Sequence, residues 1–176
     1  VGRIDPAKGH STFLQAAARL AQRRERLRFV CVGDGPAPRR QALQRLTTEL
    51  GLDGRVLWVP NHADMPGVYN ALDVFCSASN TEGFPNVVGE AMACGVPSVV
   101  TDAGDSAWIL GQPRFTVPPD DPEALADRVE VLLNMPSQAR RSMAAAAQQR
   151  IVETFSIDNL ARATERAMLA LLEELR

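Results

Sequence analysis

The stretch Val96-Pro97-Ser98-Val99-Val100-Thr101 constrains this chain more than any other. A strand with one wet face alternates apolar and polar residues, whereas this run is nearly continuous in β-branched residues. Such a run suits a strand covered on both faces, which is the situation of a parallel sheet with helices above and below. The flanking sequence supplies the helices. After Gly9, Phe13, Leu14, Ala17, Ala18, Leu20 and Ala21 recur at helical spacing until the charged run at residues 22–26. Residues 27–32 read as a short apolar strand closed by Gly33-Asp34-Gly35-Pro36. A helix is predicted from about Pro38 to Leu50, with Gly51 ending it. Residues 56–59 read as a strand, 64–71 as a short helix, 73–78 as a strand and 86–94 as a helix stopped by Gly95. Residues 115–117 read as a short last strand.

From residue 121 the pattern is helical only. Asp121-Pro122-Glu123 is a helix start with Pro in the first turn. Pro136 separates that helix from a second, and Ser156 or Asp158 caps a third that runs to the end. Strand and helix in alternation predict an α/β fold, a Rossmann-like doubly wound parallel sheet with helices on both faces. Ligands in such folds bind beyond the carboxyl ends of the strands, so the loops at residues 2–9, 33–36, 60–64, 77–86 and 101–106 are the ones expected to carry function.

Composition narrows the classes. A chain of 176 residues can bury roughly 70% of the surface its unfolded form exposes, enough for one domain without disulfides or metal. Nineteen basic against twenty-one acidic residues leave no basic footprint for nucleic acid. Residues 91–100, the longest nearly apolar stretch, contain Gly95 and Pro97 and reach about half a membrane span. No signal-peptide pattern is visible. Cys31, Cys76 and Cys94 lie in apolar surroundings without CxxC spacing and read as buried thiols of a reducing compartment. The opening Val-Gly-Arg, without Met and at what reads as the last residue of a strand, is expected of a fragment.

Three loops hold the informative chemistry. Gly2-Arg3-Ile4-Asp5-Pro6-Ala7-Lys8-Gly9 sets an Arg and a Lys just before a helix N-terminus, where cations are disfavoured unless an anion shares the place. Arg offers a planar fork to phosphate oxygens and Lys a point charge. Two solvated loop charges would read the same way. Lys8 is nevertheless the only lysine among the nineteen basic residues, which favours a site that needs an ammonium.

Further on, Glu82 and Glu90 stand eight residues apart, one before a helix and one about a turn inside it. Asn86 reads as the N-cap, aiming the amides of Val87 and Val88 above the strand ends. Glu90 suits a vicinal diol such as that of ribose, and Glu82 suits another polyol. A capping box of Ser79 with Glu82, and a dipole-stabilised Glu90, explain the same residues without a ligand. The segment Pro60-Asn61-His62 follows a strand and can meet a nucleobase edge. Gly33-Asp34-Gly35 lacks the third glycine of a dinucleotide fingerprint and reads as a tight turn. Neither His10 nor His62 has a partner at metal or triad spacing, and Trp58 and Trp108 read as packing residues.

Together, the Gly-Arg-x-x-Pro-x-Lys-Gly opening, the Gly-Asp-Gly-Pro turn and Glu-Gly-Phe-Pro-Asn-Val-Val-Gly-Glu-Ala-Met-Ala-Cys-Gly-Val-Pro resemble the C-terminal, donor-binding domain of retaining GT-B glycosyltransferases of the group 1 (family 4) type. The resemblance spans residues 1 to about 135. It implies that Arg3 and Lys8, with Gly2 beside them, neutralise the diphosphate of a nucleotide sugar. Glu90 is implied to hold the ribose hydroxyls and Glu82 to contact the donor sugar. The turn formed by Gly83, Phe84, Pro85, Asn86 and Val87 is implied to be the segment whose backbone amides meet sugar and phosphate, and Asn61 would face the base.

The resemblance further implies that residues 1–176, with C-terminal helices from about 121, form the donor domain of a metal-independent, retaining hexosyltransferase, with Glu82, Arg3 and Lys8 as its catalytic set. No cofactor or metal is expected; the nucleoside-diphosphate sugar is the substrate. The N-terminal acceptor domain would lie outside this chain, leaving the fragment alone inactive. The acceptor would be a glycan, lipid or small molecule, and no nucleic acid is expected. The location would be cytoplasmic, with peripheral association at the inner face of the membrane through the other domain as an option. A non-catalytic nucleotide-sugar-binding module and a GT-B-like epimerase or phosphorylase are the alternatives.

Overall fold

Short parallel strands followed by helices account for most of the chain. The computed structural model describes residues 1–174. A single 3-10 turn at Pro6–Lys8 leads into α1 (His10–Arg23). There follow β1 (Phe29–Val32), α2 (Ala37–Glu49), β2 (Val56–Val59), α3 (Met65–Asn70), β3 (Phe75–Ser77) and α4 (Asn86–Ala93). Next come β4 (Ser98–Thr101), α5 (Ser106–Leu110), β5 (Thr116–Val117), α6 (Pro122–Asn134), α7 (Ser137–Phe155) and α8 (Ile157–Glu174). Every strand pairing is parallel. Val99, Val100 and Thr101 are fully buried in β4, which lies between β3 and β5, as a strand covered on both faces requires. Helices α1 and α6 pack together on one face; α4, α5 and α7 form the layer on the other.

The sheet is not continuous. Strands β1 and β2 form one piece and β3, β4 and β5 another. Between β1 and β3 lies a cavity of about 410 Å³ lined by Phe13, Phe29, Cys31, Phe75, Ser77 and Val129. Beyond Val1, which lines it, the N–H of Gly2 donates to Val32 O (2.9 Å) and that of Ile4 to Asp34 O (2.8 Å), so residues 2–4 run parallel beside the end of β1. Burial pushes the thiols of Cys31 and Cys76, which flank this cavity, up to about 11 and about 12, so both remain protonated at neutral pH.

Local signals explain the helix boundaries. Asp64 accepts from Gly67 N and caps α3, and Asp121 accepts from Ala124 N and caps α6. Ser156 accepts from Asn159 N (3.3 Å) at the start of α8. Three expectations need correction. Asn86 is the first helical residue of α4 rather than its cap; Pro85 occupies the cap position without a side-chain acceptor. The strands are shorter than the apolar runs, because Leu27, Val74 and Val96 lie outside the ladders. The expected loop at residues 101–106 ends in a five-residue helix, α5, for which the sequence predicts no element; it is held by Ser106 donating to Ala103 O (2.7 Å) and by the left-handed Gly111 at its end. No helix among the described residues is long and apolar enough to cross a membrane.

Candidate functional site

The loops that follow β1, β2, β3 and β4 share the carboxyl edge of the strands with the opening segment, residues 2–9. Two glycines let these segments approach. Gly9 is left-handed (φ 59°), and a Cβ there would lie 1.8 Å from Ala78 O at the end of β3. Gly104 is also left-handed (φ 53°), and its Cβ would lie 2.3 Å from Glu82 O. Backbone bonds complete the joins: Asn80 N–H donates to Ala7 O (2.7 Å), and Asp105 N–H to Gly83 O (2.9 Å). The residues around Lys8 and those around Glu82 are thereby held against one another.

Their side chains meet directly. Lys8 Nζ donates to Glu82 Oε1 at 2.6 Å, and Ser79 Oγ donates to the same oxygen at 2.7 Å. The Glu82 side chain is 9% exposed and that of Lys8 23%, so this is a partly desolvated pair whose attraction water screens only in part. No helix starts at Ser79, which excludes the capping-box explanation of Ser79 and Glu82. Lysine carries three N–H donors; with one on Glu82, two remain for another anion.

Glu90 stands exposed on α4, and its Oε2 accepts from Tyr69 Oη at 2.7 Å. Tyr69 is fully buried. Burial first, and then the bond to the Glu90 carboxylate, hold its phenol well above the usual tyrosine range, which keeps it a donor. Val88 N–H is already taken by Pro85 O (3.0 Å), whereas those of Asn86 and Val87 have no acceptor among the described residues. The free donors at this helix end therefore sit one residue earlier than expected.

Asn61 is exposed, and its backbone N–H donates to Asp34 Oδ2 (2.9 Å). That bond is the main cause holding Asp34 below the usual carboxylate range, with help from its ion pair with Arg40. Arg3 is exposed and has no ion-pair partner among the described residues. Gly2 lies against the Lys8 side chain, 3.6 Å from Cε to its virtual Cβ. Phe84, 49% exposed, packs on Trp108 and Phe155, with ring centroids 6.3 and 5.9 Å away. Pro85 is buried and Val87 half-buried.

Burial and then neighbouring cationic groups, Arg39 among them, lower the pKa of His10 to about 4; its ring stacks on Trp58 at 6.4 Å. Among the described residues no three His, Cys, Asp or Glu side chains cluster as a metal site would need.

The structure joins Lys8 to Glu82, and among the described residues neither Arg3 nor Asn61 forms a hydrogen bond or ion pair with them. Sequence reasoning missed Tyr69 and Gly104; it paired Ser79 with Glu82 only as a capping box and gave Asp34 no role beyond its turn. The Gly-Asp-Gly turn hinted at Asp34, but no spacing links residue 69 to residue 90.

The chain is similar to known proteins in sequence and fold. The family model described as glycosyl transferases group 1 matches residues 1–135. A D-inositol 3-phosphate glycosyltransferase of Salinispora tropica is 36% identical over 169 aligned residues, covering 90% of this chain and 35% of that protein. The chain spans about a third of the length of the curated relatives it matches. The crystal structure of the C-terminal domain of a glycosyl transferase group 1 family protein (LpcC) from Francisella tularensis superposes with a TM-score of 0.79 at 26% identity, over 89% of this chain and 84% of that one. Anabaena Alr3699/HepE in complex with UDP-glucose gives a TM-score of 0.85 at 26% identity, over 96% of this chain and 47% of that one.

Proposed function

The chain belongs to the group 1 glycosyltransferases and corresponds to the C-terminal domain of their GT-B fold, and on that premise we propose that residues 1–176 bind the donor of a retaining, metal-independent hexosyltransferase. The donor is a nucleoside-diphosphate sugar and the acceptor is a hydroxyl. The observation that supports this reading is the join of the two loops at Lys8 and Glu82 (2.6 Å), an ammonium with spare donors beside a carboxylate. The complex of Alr3699/HepE with UDP-glucose supports the ligand class.

The roles follow from charge. Breaking the anomeric bond leaves negative charge on the diphosphate and an oxocarbenium-like sugar. Arg3, the two spare donors of Lys8 and the free amides of Asn86 and Val87 stabilise the leaving oxygens as that charge develops. These cations do the neutralising that a divalent ion performs elsewhere. Glu82 positions the donor sugar, together with the backbone of Gly83, Phe84 and Pro85. Glu90 holds the ribose diol, and Asn61, pinned by Asp34, faces the base. The diphosphate itself helps to deprotonate the acceptor in a front-face attack, so no protein nucleophile is assigned. The acceptor site belongs to a second domain, and this chain alone binds donor without transferring sugar.

Titration calorimetry with UDP, GDP and ADP in EDTA tests the proposal. Saturable heat with at least one of them is expected. A folded sample that gives none with any of the three contradicts it, and sugar turnover without an acceptor favours an epimerase.

A further inference from the structure

Glu90 reaches the site from an exposed position on α4, and a glutamate there has several rotamers of similar energy. What fixes it is a residue on another element. Tyr69, near the end of α3, is fully buried, its ring edge-on to Phe75 at 5.9 Å, and its hydroxyl donates to Glu90 Oε2 at 2.7 Å. The phenol has one proton to give, and Glu90 takes it. An ionised carboxylate accepts about four hydrogen bonds. With one of them made to Tyr69, the carboxylate is fixed in orientation while its remaining lone pairs stay open toward solvent.

We infer that Tyr69 is a positioning residue for the nucleoside: its buried hydroxyl holds the Glu90 carboxylate in the orientation that accepts both hydroxyls of a ribose diol. The inference rests on the reading of Glu90 as the ribose-binding carboxylate. Tyr69 does not touch the ligand and acts only through Glu90. Helix α3 is capped by Asp64, at the end of the loop that carries Asn61. The same short helix therefore ties the segment facing the base to the carboxylate facing the ribose.

A plain packing role and a positioning role differ in one measurable respect. Packing supports every ligand of the site, whereas positioning of Glu90 supports only ligands with ribose hydroxyls. The test titrates UDP, GDP and ADP by calorimetry, takes the tightest binder, and repeats the titration with its 2′,3′-dideoxy counterpart. Four proteins are compared: wild type, Tyr69→Phe, Glu90→Gln and the double variant. The expected result is a three- to tenfold loss of affinity for the ribose ligand in Tyr69→Phe, no loss for the dideoxy ligand, and no further loss when Tyr69→Phe is added to Glu90→Gln. An equal loss for both ligands, or none for either, overturns the inference. Unaltered ribose affinity in Glu90→Gln overturns the reading of Glu90 itself, and the inference with it. Binding of the ribose ligand by Glu90→Gln at reduced affinity, with Tyr69→Phe unaffected, overturns the inference alone.

Discussion

At the residue scale the two charges that join the loops already have partners. Lys8 spends one donor on Glu82, and Glu82 receives a second from Ser79. A diphosphate arriving at Lys8 therefore meets a cation whose charge is partly offset by the carboxylate 2.6 Å away. Glu82→Gln removes that offset. We expect it to tighten a bare nucleoside diphosphate a few-fold while weakening the preference for the sugar-bearing form; equal changes for both ligands would show that Glu82 does not read the sugar.

His10 provides a pH dependence. Its folded pKa of about 4 lies below the unfolded 6.5, so the unfolded chain takes up the proton first. Stability is full above pH 6.5 and falls as the pH drops through 4. His10→Gln flattens this slope in chemical denaturation across that range, and an unchanged slope would assign the acid loss elsewhere.

Lys8, Glu82 and Glu90 were singled out in the sequence by type and spacing, and the fold joins the first two. Tyr69 and Asp34 were not, because each acts on a residue more than twenty positions away. Only the folded chain brings such pairs together.

At the element scale two left-handed glycines join the loops. An added methyl at Gly104 would meet the carbonyls of Glu82 and Gly83 at 2.3 and 2.5 Å, and its φ of 53° is unfavourable for any side chain. Gly104→Ala should cost roughly 2 kcal/mol, read as a fall in Tm of roughly 4–8 °C, and should weaken nucleotide binding in the same protein. Retained Tm and affinity would mean that the β4–α5 loop does not buttress the Glu82 loop.

Helix α8 behaves differently. None of its residues is buried, and Ile157, Leu160, Met168 and Leu171 are all more than half exposed. Removing residues 157–176 should leave Tm within roughly 4 °C of the parent, with nucleotide affinity unchanged; a larger fall would show that α8 supports the core.

Most elements could be read from periodicity and punctuation. Val56–Val59 and the caps at Asp64 and Asp121 match their patterns. Helix α5 escaped because five residues carry too little periodicity to separate from a loop. The cap of α4 was misplaced because Asn86 has the chemistry of a cap, but Pro85 holds the extended backbone that the position requires.

At the scale of the molecule, the carboxyl edge of the strands collects the opening segment, Asp34, Asn61, Glu82 and Glu90. The cavity of about 410 Å³ lies between β1 and β3, lined largely by apolar side chains, and meets this edge at Lys8 and Ser79. The two places suit different ligands. Charged donors and a carboxylate proposed to hold a diol fit a nucleoside diphosphate, and an apolar slot does not. Because the two places meet at Lys8 and Ser79, the location of binding is the most direct check. Backbone amide resonances of the isotopically labelled chain, followed by NMR during titration with UDP, GDP and ADP, report that location residue by residue. The expected perturbations cluster at residues 2–9, at Asn61 and at residues 82–90, and leave β1 and α6 unmoved. Perturbations centred on Phe29, Phe75 and Val129, or scattered over the surface, would contradict a donor site on the strand edge.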